Sequence, residues 1–228
     1  MVSRWREGGR SRRGILLWHW LAPRVRLPPI AGARRPLQLG GPRTQGFGAR
    51  LLQLGVTPTA VIGDMDSISP ASRQAIPPER QHLVAEQVTT DFDKALRLIE
   101  APLVLALGFA GARLDHGLAA FSTLVARADR RCILLGPKDF AFAAPPALAL
   151  DLRPGEPLSL FPMAPVTGVS AGLEWPIAGI RFAPDGMIGT SNRVAARRVE
   201  LEFDGPGMLV ILPRRRLDAA IRALRSAP

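Results

Sequence analysis

The sequence has a single cysteine, Cys132, among its 228 residues. That excludes an intrachain disulfide framework and any cysteine-rich zinc site. It lacks a Gly-x-x-x-x-Gly-Lys-Ser/Thr motif, so an ordinary P-loop is excluded. It also lacks an apolar run near the length of about 20 residues needed to span a bilayer. The longest, Leu103–Ala112, is interrupted by two glycines and reads as a buried strand entering a loop. No internal repeat is found. Acid is nearly absent from the first fifty residues, where 11 arginines face one acidic residue, Glu7. Residues 51–228 carry 19 basic and 18 acidic side chains, so the formal charge of +11 belongs to one end of the chain. A nearly neutral body argues against a nucleic-acid partner, whose phosphates call for clustered cations. With 47% hydrophobic residues the chain can bury a substantial core.

Residues 1–50 contain 11 Arg, 8 Gly and 5 Pro, together with Trp5, Trp18 and Trp20. They show no sustained amphipathic period, and no strand is predicted. A basic nucleic-acid arm would need larger clusters than Arg10–Arg12–Arg13. A secretory signal using Ile15–Ala22 would be interrupted by Arg24 and Arg26. An Arg-rich, acid-poor organelle transit peptide is a further reading. The expected reading is an atypical segment that is poorly structured or out of frame.

From Leu51 onward, short apolar runs alternate with helical stretches. Ala60–Ile62, Leu103–Leu107 and Cys132–Leu135 read as buried strands. Helices are predicted over Phe92–Glu100, with Asp91 as N-cap, and over Asp115–Arg127. Strand, loop, helix, strand in this order predicts parallel βαβ units. Beyond Pro145–Pro146 come short β-type runs, Leu148–Leu152, Leu158–Phe161, Val166–Ser170, Val199–Phe203 and Met208–Leu212, parted by Gly and Pro turns. They predict a small antiparallel sandwich or barrel. A short helix is predicted at Leu217–Arg225. The expected organisation is an atypical segment at 1–50, an α/β domain at 51–145 and an all-β domain at 146–228.

Four aspartates fall where α/β proteins place chemistry, at strand ends and helix starts. Asp64 and Asp66, two apart in a loop, can turn both carboxylates to one point, and such hard oxygen ligands suit Mg²⁺. Asp91 and Lys94 lie on one helical turn. Asp115 and His116 follow a glycine loop bearing Arg113. Singly, Asp91 and Asp115 read as helix caps, Gly63–Ser67 as a turn and His116 as a surface residue. Their co-occurrence at successive strand ends reads as a metal–polyphosphate site, in which cations hold the transferring group.

Gly63-Asp64-Met65-Asp66-Ser67, Thr90-Asp91-Phe92-Asp93-Lys94-Ala95 and Gly108-Phe109-Ala110-Gly111-Ala112-Arg113-Leu114-Asp115-His116 resemble the acidic motifs of thiamine pyrophosphokinases. Gly168–Pro176 and Gly189-Thr190-Ser191-Asn192 resemble that family's β-domain signatures. The resemblance runs from about Leu51 to about Pro213. It implies a Rossmann-like parallel α/β domain and a β-sandwich. It implies transfer of diphosphate from ATP to the thiamine hydroxyl, with Mg²⁺, in a homodimer whose thiamine lies between domains of different subunits. Asp64, Asp66 and Asp91 would hold Mg²⁺ and the ATP phosphates, with Asp115 serving the same site or the hydroxyl. Lys94, Arg113 and His116 would contact phosphate. Gln87 would face the aminopyrimidine, and Trp175, Ser191 and Asn192 would wall the thiamine, Trp175 by stacking.

The chain departs from the pattern in places. The family's Ala-Asp-Gly-Gly-type motif, expected near Gln45 by counting back from Leu51–Pro58, is absent. Val88 and Arg193 stand where acids are commoner, and Ala112 replaces a loop glycine. The loss of every family feature upstream of Arg50 motivates the out-of-frame reading of that segment. A second functional reading follows: a thiamine-binding, dimerising homologue with an incomplete nucleotide site. A third, nucleic-acid binding through the basic segment, is opposed by the neutral body. A lone cysteine and no convincing signal point to the cytoplasm, without a membrane or nucleic-acid partner.

Overall fold

The computed structural model describes residues 17–19, 60–63, 69–84, 86, 88–99, 101–110 and 114–227. Two compact units divide between Ala101 and Pro102.

In the first unit, strand β1 (Leu17–His19) lies in the segment for which the sequence predicts no strand. Strand β2 (Val61–Gly63) pairs in parallel with β3 (Gln81–Leu83). Between them runs a short helix, α1 (Pro70–Ala75). Ser69 caps its start, its Oγ accepting from Ser72 N at 3.2 Å, and Pro70 supplies a helix-compatible φ without wasting an N–H. At the other end, Gln81 Nε2 donates to the carbonyls of Ile76 (2.7 Å) and Arg73 (2.9 Å), so a side-chain amide from β3 satisfies groups a helix end leaves open. Helix α2 (Asp91–Leu98) follows. Its N-cap is Thr90 rather than the predicted Asp91: Thr90 Oγ1 accepts from Asp93 N at 3.3 Å. Two capping residue types stand side by side, and the chain uses the first, leaving Asp91 as the first helical residue. Phe92, Ala95 and Leu96 of α2 and Ile99 just beyond it are buried, as are Val61, Ile62, Ile76 and Val84.

The second unit begins with β4 (Val104–Leu107) and β5 (Cys132–Leu135), parallel neighbours joined through helix α3 (Leu114–Ala126). All four residues of β5 are buried, Cys132 among them, and burial pushes its thiol pKa up. That thiol is an inert core group, not a nucleophile. Strand β6 (Asp139–Ala143) then turns antiparallel to β5. Strands β7 (Ala147–Asp151), β8 (Pro157–Pro162), β9 (Gly168–Ala171), β10 (Gly189–Arg193), β11 (Arg198–Phe203) and β12 (Met208–Pro213) complete two sheets. Within this unit one sheet runs β4-β5-β6-β12-β8-β10 and the other β7-β11-β9. Alternation on β8 and β11 sends every second residue inward, so Leu158, Leu160, Val199 and Leu201 meet Phe140, Phe142, Leu148 and Leu150 in one core. Helix α4 (Leu217–Ser226) presents buried Ala219, Ala220, Ala223 and Leu224 and packs on β7.

The composition change at Pro145–Pro146 falls between β6 and β7, well inside this second unit. The reason is β6: it pairs with both β5 and β12, knitting residues 132–143 into the sheet of the β-rich part. The architecture is mixed α/β, with β structure dominating the second unit.

Candidate functional site

Glu86 in the first unit is held from three sides. Its Oε1 accepts from Thr89 Oγ1 at 2.8 Å and its Oε2 from Arg97 Nη2 at 2.8 Å, while its carbonyl accepts from Lys94 Nζ. Arg97 also donates to Thr89 Oγ1 at 2.9 Å and pairs through Nε with Asp93 at 3.0 Å. The Arg97 hydrogen bond, followed by that of Thr89, lowers the Glu86 pKa below its ordinary value. Lys94, expected at the phosphates, is almost wholly buried. Its ammonium is drawn onto the Glu86 carbonyl, so α2 grips the chain at Glu86. Phe92, Ala95 and Leu96 anchor the opposite face of the helix.

Asp64, Asp66, Gln87 and Arg113 lie outside the described residues, as does the side chain of Asp91. Among the described residues, no cluster of three His, Cys, Asp or Glu side chains could hold a metal. In the second unit Asp115 and His116 are exposed in the first turn of α3, and Asp115 Oδ1 accepts from His116 N at 2.9 Å. Asp115 thus lies inside the helix, one residue beyond its start at Leu114.

The second unit gathers Trp175, Ser191 and Asn192. Gly189 pairs with Leu160 and Asn192 with Leu158, so two residues of β10 oppose the single Ser159 on β8. Ser191 takes up this bulge with φ +63° and donates its N–H to Ser159 Oγ at 3.0 Å. A non-glycine residue there is strained, and such strain persists where neighbours over-determine it. The bulge points Thr190 and Ser191 outward and turns Asn192 into the core. Asn192 Nδ2 donates to the Trp175 carbonyl at 2.7 Å, and its Oδ1 accepts from Trp175 N at 3.3 Å and Arg193 N at 2.7 Å. Its amide is therefore engaged with backbone, and it positions Trp175. The indole itself is 51% exposed.

Two residues at this site were missed by the sequence reading. Arg193 Nη1 reaches the Glu174 carboxylate at 3.0 Å, and its guanidinium carbon lies 5.5 Å from the Trp175 ring centroid. Such a cation–π contact at an exposed site is worth about 0.5–1 kcal/mol. The available signal was charge: an acid directly before Trp175 and a base directly after Asn192.

Comparison with known proteins finds one family in two successive stretches of the chain. The model of the thiamin pyrophosphokinase catalytic domain matches residues 46–135, and that of the thiamin pyrophosphokinase vitamin B1 binding domain matches residues 148–207. The rice (Oryza sativa subsp. japonica) protein Thiamine pyrophosphokinase 2 is 28% identical over 166 residues, 64% of this chain and 62% of that protein. The chain thus spans less than two thirds of that relative's length. The crystal structure of thiamine pyrophosphokinase from Bacillus subtilis shares the fold at 22% identity, with a TM-score of 0.59, over 72% of this chain and 82% of that one. Thiamin pyrophosphokinase from Geobacillus thermodenitrificans does so at 22% identity and a TM-score of 0.58, over 72% and 80%. With both domains of one family matched in order along its length, the chain belongs to the thiamine pyrophosphokinase family.

Proposed function

We propose that this chain transfers the diphosphate of ATP to the hydroxyl of thiamine, releasing AMP. The observation that carries the reading is the half-exposed Trp175, fixed through its backbone by a buried Asn192, within the stretch matched by the vitamin B1 binding domain. A clamped aromatic face open to solvent suits a flat heteroaromatic ligand.

The thiamine oxygen forms a bond to the β-phosphorus while the bond from that phosphorus to the α–β bridging oxygen breaks. The electron pair leaves with AMP, and the hydroxyl proton passes to a carboxylate, with Asp115 a candidate acceptor. Asp64, Asp66 and Asp91 form a hard-oxygen donor set that fits Mg²⁺, which when bound would neutralise phosphate charge. Arg113 and His116 hold phosphate, and Gln87 faces the aminopyrimidine. Lys94 serves the same group from behind, by fixing the loop at Glu86. Ser191 and Trp175 wall the thiamine.

The wider organisation belongs to the same proposal. The parallel pairs β2/β3 and β4/β5 support a Rossmann-like α/β domain over 51–145, and the family matches on either side of residue 145 support a β-sandwich domain from 146. Exposed Val169, Trp175, Met187 and Ile188 support a homodimer. Among the described residues no helix is long and apolar enough to cross a membrane. We place the protein in the cytoplasm, acting on small molecules and not on nucleic acid.

AMP release from Mg-ATP by the full chain, with and without thiamine, tests the reading. Thiamine-dependent AMP that falls about 10²–10³-fold in Asp64→Asn is expected. Thiamine binding with no AMP would instead favour the homologue with an incomplete nucleotide site.

A further inference from the structure

The contacts around Trp175 have a charge pattern that the proposed function leaves unused. Leu173 bridges Val194 in antiparallel fashion, and Glu174 N donates to the Arg193 carbonyl at 2.8 Å. This register sets Glu174 beside Arg193, while the bulge at Ser191 turns Arg193 outward. One carboxylate and one indole face therefore converge on one guanidinium, with Arg193 Nη1 3.0 Å and 3.3 Å from the two Glu174 oxygens and the ring centroid 5.5 Å from Arg193 Cζ. An aromatic face with a carboxylate beside it is the environment that a cation selects. Here its occupant is a side chain of the same molecule. It is held loosely: the Arg193 and Glu174 side chains are 52% and 41% exposed, and in that setting an ion pair is weak.

We propose that Glu174 and Trp175 form a cation subsite whose resting occupant is Arg193, and that an aromatic cation binds there by displacing that guanidinium. The inference rests on the proposed function in one respect: the thiazolium ring of thiamine is a flat, permanent cation of the required kind. In the exchange one cation leaves the carboxylate and indole as another arrives. Glu174 is then a ligand-binding residue, Arg193 an internal competitor, and thiamine affinity a difference between the two cations.

The test is saturable quenching of Trp175 fluorescence in the full chain, with Trp5, Trp18 and Trp20 replaced by phenylalanine. The probes are 1-methylnicotinamide, a flat pyridinium cation, and nicotinamide, its neutral counterpart. Arg193→Gln tightens the cation by about 3–10-fold and the neutral probe less. Glu174→Gln weakens the cation, and Arg193→Lys stays near the parent protein because it keeps a competing charge. Unchanged cation affinity in Arg193→Gln overturns the proposal. Equal tightening of both probes overturns it too, since Arg193 would then be only a steric cover. The readout needs no turnover. Absent thiamine-dependent AMP release with the expected probe behaviour strikes the proposed function alone, whereas active enzyme with indifferent probes strikes the subsite alone.

Discussion

Two loops carry candidate ligand contacts, and they are held by opposite means. The loop at Glu86 in the first unit is gripped by charge, through Lys94, Arg97 and Asp93 of α2. The segment at Trp175 in the second unit has a neutral side-chain anchor, the buried amide of Asn192, beside a backbone bond to β10 and an exposed ion pair. The difference follows from what each unit has to build with. The strands β2 and β3 are three residues each, so little apolar contact is available to fix a neighbouring loop. Strands β8, β11 and β12 are six residues each and seal a continuous core, where a polar anchor must be neutral and fully hydrogen-bonded to be tolerated. Charge fixes what the core cannot reach, and salt and pH act mainly on the charged device.

The largest effect is expected from breaking the neutral anchor. Asn192→Ala takes three hydrogen bonds from the backbone of Trp175 and Arg193, which costs about 2–3 kcal/mol in denaturant unfolding and raises the KM for thiamine. Ion pairing within the second unit comes next. Glu156, 13% exposed, binds Arg215 at 2.8 Å and Arg216 Nη2 at 2.7 Å, and the Arg216 hydrogen bond is the main cause of a carboxyl pKa lowered from 4.5 to about 2. Because the folded value is depressed, this contribution is present above pH 4.5 and is lost as pH falls toward 2. Glu156→Gln is expected to cost about 2 kcal/mol at pH 7 and to flatten the acid limb of the stability curve.

Smaller effects sharpen the contrast in the first unit. Arg97→Gln releases Glu86, Thr89 and Asp93 together, and the KM for Mg-ATP rises about two- to fivefold. In the parent protein that KM climbs with added salt, and the variant loses this sensitivity. The smallest effect is a gain. Gly117 lies within α3, and a methyl group there would meet no described atom within 4 Å outside the backbone of its own helix. Gly117→Ala therefore stabilises by about 0.5–1 kcal/mol in thermal unfolding.

Sequence patterns exposed the core strands and hid the site strand. Cys132–Leu135 and Val199–Phe203 are legible because burial on both faces or one leaves a continuous or alternating apolar run. Asp139–Ala143 was passed over, although Phe140 and Phe142 alternate, because it directly follows a Gly–Pro turn and precedes two prolines. Gly189–Arg193 has no apolar residue at all, so no period marks it. Pairing with β8 makes it a strand, and the bulge at Ser191 spoils even the polar alternation. Trp175 and Asn192 entered the site only through family resemblance. Unaided, they read as a core tryptophan and a polar turn, since neither the solvent-open indole nor the three hydrogen bonds of the amide leave a trace in the sequence.

The lone cysteine gives the protein a clock of its own. Cys132 is the first residue of β5, buried opposite Val104 of β4, and β5 pairs with β6 from Ile133 onward. A thiol reagent reaches it only when the packing over that face of the sheet opens. The rate at which such a reagent consumes the protein's only sulfhydryl therefore measures how often the core at the start of β5 opens. Slower reaction in the presence of thiamine or Mg-ATP would report, without any added label, that a ligand holds that part of the core shut.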